Sequence, residues 1–231
     1  MNPVRDLSIL VAGASGGLGA PISRLLAADG ARLTLLGRDR GRLEALGLEA
    51  ALVTGDLRAA ETAVHAVAAA LEAHGRLDAL IVASGVVAFG PVGELTDEVL
   101  VDLFAVNTLA PIRLLRAALP ALTASAAAGR APFVLHLSAI VAEHPAAGMA
   151  AYSASKGALT AFDAAAGREL RRAGIRLIDA RPPHTETGLA DRPIAGTAPR
   201  LAQGLDPDAV AARVLAAVVG DERDLPSAAF A

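Results

Sequence analysis

Short apolar runs alternate with longer amphipathic stretches along almost the whole chain. The apolar runs are residues 7–12, 31–36, 50–54, 79–83, 133–137 and 175–180. Each is apolar nearly throughout and is bounded by turn-forming residues, as expected for strands that are buried on both faces. Helical spacing of apolar residues is found at 18–29, 39–46, 59–74, 97–118, 151–173 and 207–219. Strands that alternate with helices predict a parallel sheet with right-handed crossover connections.

This order of elements predicts an α/β fold. We expect a Rossmann-like three-layer α/β/α sandwich with a doubly wound, mainly parallel sheet, in which ligands bind beyond the carboxyl ends of the strands. No Pro-, Ser- or Gly-rich linker divides the 231 residues, so one domain over 1–231 is predicted. Residues 124–131 are interpreted as a loop of small residues, and 224–230 as the one candidate for a last strand.

The composition argues against several classes of protein. A net charge of −3 gives no indication of a basic surface that would bind nucleic acid. The apolar runs are too short for a membrane span or for the hydrophobic region of a signal peptide, so we expect no membrane partner and a cytoplasmic location. Cysteine is absent, which excludes disulfides and thiolate chemistry. The five histidines lack the spacing of metal ligands, and no metal site is predicted.

Three residue types that are nearly absent from the chain are concentrated where chemistry could use them. Lys156 is the only lysine among 21 basic residues, Tyr152 is the only tyrosine, and Asn107 is the only asparagine besides Asn2. An ammonium is a compact point charge, whereas guanidinium is a broad planar fork, so a lone lysine suggests chemistry that arginine does not perform. Compositional drift is the alternative. It is disfavoured because the only lysine lies four residues after the only tyrosine.

A glycine-rich turn joins the first predicted strand to the first predicted helix. It reads Gly13-Ala14-Ser15-Gly16-Gly17-Leu18-Gly19. Glycines permit a tight turn and a close backbone approach, and the helix N-terminus offers free N–H groups and a positive dipole end to a diphosphate. A purely structural turn is the alternative. The glycine spacing resembles the TGxxxGxG turn of short-chain dehydrogenases/reductases, with Ala12 in the place of the threonine.

This resemblance covers about residues 7–219 and implies an NAD(P)(H)-dependent oxidoreductase with cofactor contacts in the glycine-rich turn. Arg38 follows the second strand, where family members that prefer NADP(H) often carry a basic residue. A solvated arginine paired with Asp39 is the alternative. We therefore expect NADP(H) as the preferred cofactor and NAD(H) as a possible one. The resemblance assigns further cofactor contacts to Asp56, Leu57, Ser84, Gly85, Pro182, Thr185 and Thr187.

The chain departs from the family pattern at two of these places. Ala83 and Ser84 lie within the segment where the family has Asn-Asn-Ala-Gly, so both asparagines are lost while Gly85 is kept. Pro183 replaces the glycine of the segment that holds the nicotinamide carboxamide. The polar contacts beneath a cofactor are therefore expected to differ from those of the family.

Tyr152 and Lys156 lie four residues apart at the start of a predicted helix, which places both side chains on one face. A tyrosine with an ordinary pKa of about 10 needs a downward shift to exchange protons near neutrality. An ammonium about 5 Å away favours phenolate by roughly 3 kcal/mol at an effective dielectric of about 20, or about two pKa units. The resemblance implies that Tyr152 transfers the proton and that Lys156 also binds the nicotinamide ribose. An unconnected surface pair is the alternative.

Asn107 and Ser138 are the two further catalytic candidates. Asn107 lies within a predicted helix, where asparagine is a mediocre helix former, and it resembles the family asparagine that holds a water in the relay to the lysine. A kink or an inter-helix hydrogen bond is the alternative. Ser138 lies fourteen residues before Tyr152, and Ala139 occupies the place of the family serine that bonds the substrate carbonyl. Ser138 therefore either is re-aimed by a bulge or faces away.

Taken together, the motifs imply hydride transfer between NADP(H), or NAD(H), and a secondary alcohol or carbonyl substrate. The segment 184–205 would cover this small molecule, and the sequence does not identify it. Two alternatives are a dinucleotide-binding sensor or scaffold that has lost turnover, and an isomerase or dehydratase of the same fold. The replaced residues noted above motivate the first.

We predict a homodimer or homotetramer, because the predicted helices 97–118 and 151–173 are apolar over more than one face and the family commonly pairs such helices between subunits. Their small alanines permit close approach. Light scattering at micromolar concentration measures the mass in solution. A mass corresponding to one chain would contradict the prediction.

Overall fold

The computed structural model describes residues 4–230, and seven strands in this range form one parallel sheet. The strand order is β3-β2-β1-β4-β5-β6-β7. The strands are β1 (Ser8–Ala12), β2 (Arg32–Gly37), β3 (Ala50–Thr54), β4 (Ala79–Val82), β5 (Phe133–Leu137), β6 (Arg176–Ala180) and β7 (Asp224–Leu225). The chain order reverses between β1 and β4, so the carboxyl ends of these two strands border the crevice where doubly wound sheets bind ligands. The predicted fold class is confirmed.

Seven α-helices cover the two faces of the sheet. They are α1 (Gly19–Ala28), α2 (Arg40–Glu44), α3 (Ala60–His74), α4 (Asp97–Phe104), α5 (Ala110–Ala127), α6 (Ala150–Arg172) and α7 (Pro207–Val219). Successive residues of a strand face opposite sides, so Ile9 packs with the layer that holds α1 and α7, whereas Leu10 packs with α3, α5 and α6. Within residues 4–230, no helix is long and apolar enough to cross a membrane.

Three predicted elements differ from those observed. The helix predicted over 97–118 is interrupted by a π-helical turn at Ala105–Leu109. The loop predicted over 124–131 is helical as far as Ala127, because small alanines continue α5 at no steric cost. Of the last strand predicted over 224–230, only two residues pair with β6, and Ser227–Phe230 form a 3₁₀ turn.

Asp78 ties together three elements beneath the amino-terminal edge of the sheet. Its fully buried carboxylate accepts hydrogen bonds from the Ser8 amide at 2.9 Å and from the Ser125 hydroxyl at 2.6 Å. The Arg76 guanidinium donates a third at 2.7 Å. Burial alone would raise the pKa of Asp78, but these hydrogen bonds outweigh it and hold the pKa below its ordinary value. The ionised carboxylate therefore joins β1, α5 and the residues that precede β4.

We predict that Asp78→Asn lowers the free energy of unfolding by about 2–4 kcal/mol at pH 7, because a buried charge-assisted network loses its acceptor. Since the folded pKa of Asp78 is lowered, its stabilisation is complete above the unfolded value of about 3.9 and is lost as the pH falls through the folded value. Urea denaturation between pH 3 and pH 7 measures both effects. Glu72→Gln, which removes an exposed carboxylate of α3, is the control, and equal losses in the two variants would contradict this account.

Candidate active site

A cleft with a volume of about 530 Å³ opens at the carboxyl ends of the central strands. This volume is in the range of small-molecule and cofactor sites. The cleft is lined by most residues that the sequence singled out: Gly13, Ser15, Gly17, Leu18, Arg38, Asp56, Leu57, Ser84, Gly85, Ser138, Tyr152, Lys156, Pro182 and Thr187. Gly19, Asn107 and Thr185 do not line it. The fold therefore brings the glycine-rich turn and the Tyr152–Lys156 pair to one place.

Two glycines in the turn are required by the close approach of neighbouring backbone. Gly13 has a φ of 78°, and a Cβ there would lie 2.7 Å from the Ser84 amide nitrogen. A Cβ on Gly17 would lie 2.7 Å from the Thr187 carbonyl oxygen. Helix α1 begins at Gly19. The Ala20 amide donates to the Gly16 carbonyl oxygen at 2.9 Å and Pro21 has no N–H, whereas the amides of Leu18 and Gly19 form no backbone hydrogen bond within residues 4–230. These N–H groups and the open backbone fit a diphosphate group at the helix N-terminus.

The end of β2 presents positive charge to the cleft. Arg38 is exposed and, within residues 4–230, forms no ion pair. The carboxylate of Asp39 accepts a hydrogen bond from the Arg42 amide and so caps α2 instead of pairing with Arg38. Arg42 itself lines the cleft and donates to the Ser15 carbonyl oxygen at 2.9 Å. Sequence reasoning missed Arg42, because Arg38 precedes α2 and helical spacing therefore does not relate the two arginines.

Asp56 also lines the cleft, at the edge beyond β3. Its carboxylate accepts hydrogen bonds from the amide and the guanidinium of Arg58, which lower its pKa. The same guanidinium pairs with Asp102 of α4 at 3.2 Å. This edge of the cleft is thus held by an ion-pair network between the loop after β3 and α4.

Tyr152 and Lys156 lie on the buried face of α6, with 7% and 4% of their surfaces exposed. The Lys156 ammonium donates to the Leu137 carbonyl oxygen, at the end of β5, at 2.8 Å. A Cβ on Gly85 would lie 3.5 Å from the Lys156 Nζ atom. Gly85, in the loop after β4, therefore lies directly beside the ammonium.

The expected lowering of the tyrosine pKa by the lysine is not found. Burial raises the pKa of Tyr152 to about 12, and burial lowers the pKa of Lys156 to about 8. The reason is that desolvation disfavours the charged form of both groups, while the ammonium is bound to the carbonyl of Leu137. At neutral pH Tyr152 is therefore a protonated phenol, which is a proton donor.

Asn107 lies at the centre of the π-helical turn and contacts the residue after Gly85. Its Oδ1 atom accepts from the Val86 amide, and its Nδ2 atom donates to the Val86 carbonyl oxygen, both at 2.9 Å. The Nδ2 atom also donates to the Ser155 hydroxyl of α6 at 3.0 Å. The side chain thus pairs with the loop that follows β4 as a backbone peptide would. The inter-helix hydrogen bond considered from the sequence is present in the contact with Ser155, and Asn107 connects the loop after β4, α6 and the π turn.

The Ser138 hydroxyl faces helix α6. It donates to the Lys156 carbonyl oxygen at 3.2 Å and lies 3.0 Å from the Thr160 hydroxyl. Ala139, by contrast, packs in the apolar cluster that contains Tyr152 and Val141. The Ser138 hydroxyl is therefore held by α6, although Ser138 lines the cleft and Ala139 does not.

The segment 184–205 lies across the end of β4. Phe89 donates a backbone hydrogen bond to Ala195 at 3.0 Å, and Ile194 donates one to Val87 at 2.8 Å. The Thr185 hydroxyl donates to the Pro183 carbonyl oxygen, outside the cleft. The segment therefore covers the apolar cluster around Tyr152, and at Thr187 it packs closely against Gly17 of the glycine-rich turn.

Comparison with known proteins agrees with this geometry. The family model described as short chain dehydrogenase matches residues 8–195. This chain belongs to the short-chain dehydrogenase family. It is 32% identical over 206 residues to an uncharacterized oxidoreductase of Methylorubrum extorquens, with 85% of this chain and 81% of the relative covered. It is 27% identical over 205 residues to ipsdienol dehydrogenase of Ips pini, with 84% and 80% covered.

A solved structure supports the same assignment to the short-chain dehydrogenase family. A metagenomic short-chain oxidoreductase in complex with NADP is 30% identical to this chain, with a TM-score of 0.77. The match covers 96% of this chain and 97% of that one. The resemblance inferred from the glycine-rich turn is therefore confirmed at the level of the family.

Proposed function

We propose that this short-chain dehydrogenase transfers a hydride between NADP(H) and a small secondary alcohol or carbonyl substrate, with Tyr152 as the general acid and base. The observation that carries the proposal is the position of the only tyrosine and the only lysine. They lie side by side on α6 and line the same cleft as the glycine-rich turn. The NADP complex of a relative and the dehydrogenase named above support the cofactor and the class of reaction.

The residues of the cleft fit a nicotinamide dinucleotide. The turn before α1 offers N–H groups to the diphosphate, and Arg38 with Arg42 offers positive charge to a 2′-phosphate. The Ser84 hydroxyl is buried and, within residues 4–230, has no hydrogen-bond partner, so a ligand in the cleft could supply one. The bound cofactor supplies the hydride. NAD(H), which lacks the 2′-phosphate, is expected to bind more weakly.

Tyr152 then moves the proton. Because its phenol is protonated at neutral pH, it donates to the oxygen of a carbonyl that accepts a hydride. In the oxidative direction it must first lose its proton, so oxidation requires a higher pH or a nearby positive charge. In the protein alone Lys156, whose ammonium is bound to Leu137, does not lower the pKa of Tyr152, so the oxidised nicotinamide ring would supply this charge.

Mixing the protein with NADPH and a panel of ketones and aldehydes, and following the loss of absorbance of NADPH, tests the proposed activity. We expect turnover of at least one carbonyl, and we expect Tyr152→Phe to reduce kcat by at least about 10³-fold because it removes only the proton donor. Phe162→Tyr, which adds a hydroxyl elsewhere on α6, is the control for the overall fold. Near-full activity of Tyr152→Phe would refute the mechanism, and NADPH binding without turnover of any carbonyl would favour the scaffold.

We predict that Arg38→Ala weakens the binding of NADPH by about 10- to 100-fold, because a charge-assisted hydrogen bond to a phosphate contributes about 1.5–3 kcal/mol. The binding of NADH should change little. Fluorescence titration with each cofactor measures the ratio of the dissociation constants for NADPH and NADH. Arg40→Ala, a neighbouring arginine that pairs with Glu44, is the matched control. A ratio that is the same in Arg38→Ala and Arg40→Ala would mean that Arg38 is an ordinary surface residue.

We predict that Ser138→Ala changes kcat/KM by less than about threefold, because the hydroxyl is already engaged by the Lys156 carbonyl oxygen and the Thr160 hydroxyl of α6. Ala139→Ser should raise kcat/KM, since it adds a donor beside Tyr152. Steady-state kinetics on a carbonyl that the protein reduces measure both. A fall of about 10²- to 10³-fold in Ser138→Ala, as for a lost oxyanion donor, would instead place the serine on the substrate.

A further inference from the structure

A row of buried polar side chains lies between α6 and the sheet, directly behind Lys156. His136 and Ser138 project from the end of β5, and Asp179 and Arg181 project from the end of β6. Asp163 faces them from α6. All five are at least nine-tenths buried, in a layer that is otherwise formed by apolar residues. Burying such groups is costly unless they act on one another, so their arrangement requires an explanation.

The two carboxylates of this row each have one strong partner. The Asp163 carboxylate lies 2.8 Å and 3.0 Å from the Nδ1 atom of His136, and both side chains are fully buried. The Oδ2 atom of Asp179 accepts from the Arg181 guanidinium at 2.6 Å. His136 and Asp179 are also direct neighbours across β5 and β6. The row is therefore one connected group of charges and not a set of separate residues.

Arg181 does not cancel the negative charge of the row, because its guanidinium is shared. Besides Asp179 it binds Glu143, which follows β5, and Asp224 of β7 at 2.7 Å. Even when Arg181 and Lys156 are both charged, these two cations are accompanied by four carboxylates, those of Asp163, Asp179, Glu143 and Asp224. Burial, together with the neighbouring Asp163, raises the pKa of Asp179, and the hydrogen bonds from Arg181 and Thr160 oppose this rise. Surplus negative charge is thus held next to the buried lysine.

Two atoms of the row lack a partner within residues 4–230. They are the Nε2 atom of His136 and the Oδ1 atom of Asp179, both buried. The Asp179 carboxylate thus has one oxygen without a donor of its own, while the other is bound by Arg181. Lys156 is the cation that lies within the same layer, with its ammonium bound to Leu137, the residue between His136 and Ser138.

We infer that Asp163 and Asp179 are positioning residues that keep Lys156 in its charged form beneath the cleft, with His136 orienting Asp163. The titratable groups around Lys156 are Asp163 and the neutral Tyr152 on α6, His136 on β5 and Asp179 on β6, and of these Asp179 and Asp163 supply the negative charge that acts on Lys156. Burial lowers the pKa of Lys156, and the charges of Asp179 and then Asp163 oppose that fall. The effect of the two carboxylates on catalysis rests on the proposed function. Their effect on the charge of Lys156 can be measured whether or not that function is correct.

The single lysine makes a direct test possible. Protein grown with [¹³Cε]lysine gives one lysine side-chain signal, and its chemical shift against pH reports the ionisation of Lys156 without any turnover. We expect a midpoint near 8 in the unchanged protein. Partnerless buried lysines titrate at about 5–6, so a midpoint below about 6.5 would itself overturn the inference.

Asp179→Asn and Asp163→Asn remove one charge each with little change in shape. In each variant we expect the midpoint of the Lys156 signal to move to lower pH by about one pH unit, as for the loss of one charge within the same layer. Glu169→Gln, which removes an exposed charge from α6, is the matched control and should leave the midpoint unchanged. Unchanged midpoints in both aspartate variants, with circular dichroism showing a folded chain, would overturn the inference.

The kinetic consequence is measured separately. Wherever the unchanged protein reduces a carbonyl, the decline of kcat at high pH should begin at lower pH in Asp179→Asn than in Glu169→Gln, because Lys156 loses its proton earlier. A shifted signal with an unchanged pH profile of kcat would overturn the catalytic part of the inference. If no carbonyl is turned over at all, the proposed function fails while the ionisation of Lys156 still decides the role of the two carboxylates.

Discussion

The hydrogen bond from the Lys156 ammonium to the Leu137 carbonyl oxygen is the interaction on which the site depends. It joins the start of α6 to the carboxyl end of β5, the place where a parallel sheet leaves unpaired carbonyl groups. The same turn of helix carries Tyr152, so the position of the phenol follows from that of the ammonium. A long arginine fork would not fit this enclosed position, which gives a physical reason for the only lysine in the chain.

Further hydrogen bonds fix the start of α6 and the residues around Lys156 in place. Asn107 pairs with the backbone of Val86 and with Ser155, and this pairing coincides with the π-helical turn that separates α4 from α5. π-helical turns are found frequently at functional sites, because they re-aim a side chain that a regular helix would direct elsewhere. On the other side, the Ser138 hydroxyl binds the Lys156 carbonyl oxygen. The start of α6 is thus fixed by side chains from both neighbouring layers.

The sequence was sufficient to predict the sheet, its parallel strands and the meeting of the glycine-rich turn with the Tyr152–Lys156 pair. The sheet depends on short-range patterns, namely apolar runs of strand length bounded by turns. The meeting of the glycine-rich turn with the Tyr152–Lys156 pair, which are far apart in the chain, was implied by the family resemblance. The sequence did not reveal the direction of the Ser138 hydroxyl, because a one-residue offset at a strand end is resolved only by the local backbone. It also did not reveal the row behind Lys156, since His136 and Asp179 become neighbours only through the register of β5 and β6.

The pKa of Tyr152 is the quantity that tests most directly whether this residue exchanges the proton. The chain has one tyrosine, so [¹³Cζ]tyrosine gives a single signal whose titration reports the phenol. In the protein alone we expect no titration below about pH 12. With NADP⁺ bound, a positive ring beside the phenol should move the midpoint to lower pH by about two pH units. A midpoint that stays at about 12 when NADP⁺ is demonstrably bound would contradict Tyr152 as the group that exchanges the proton.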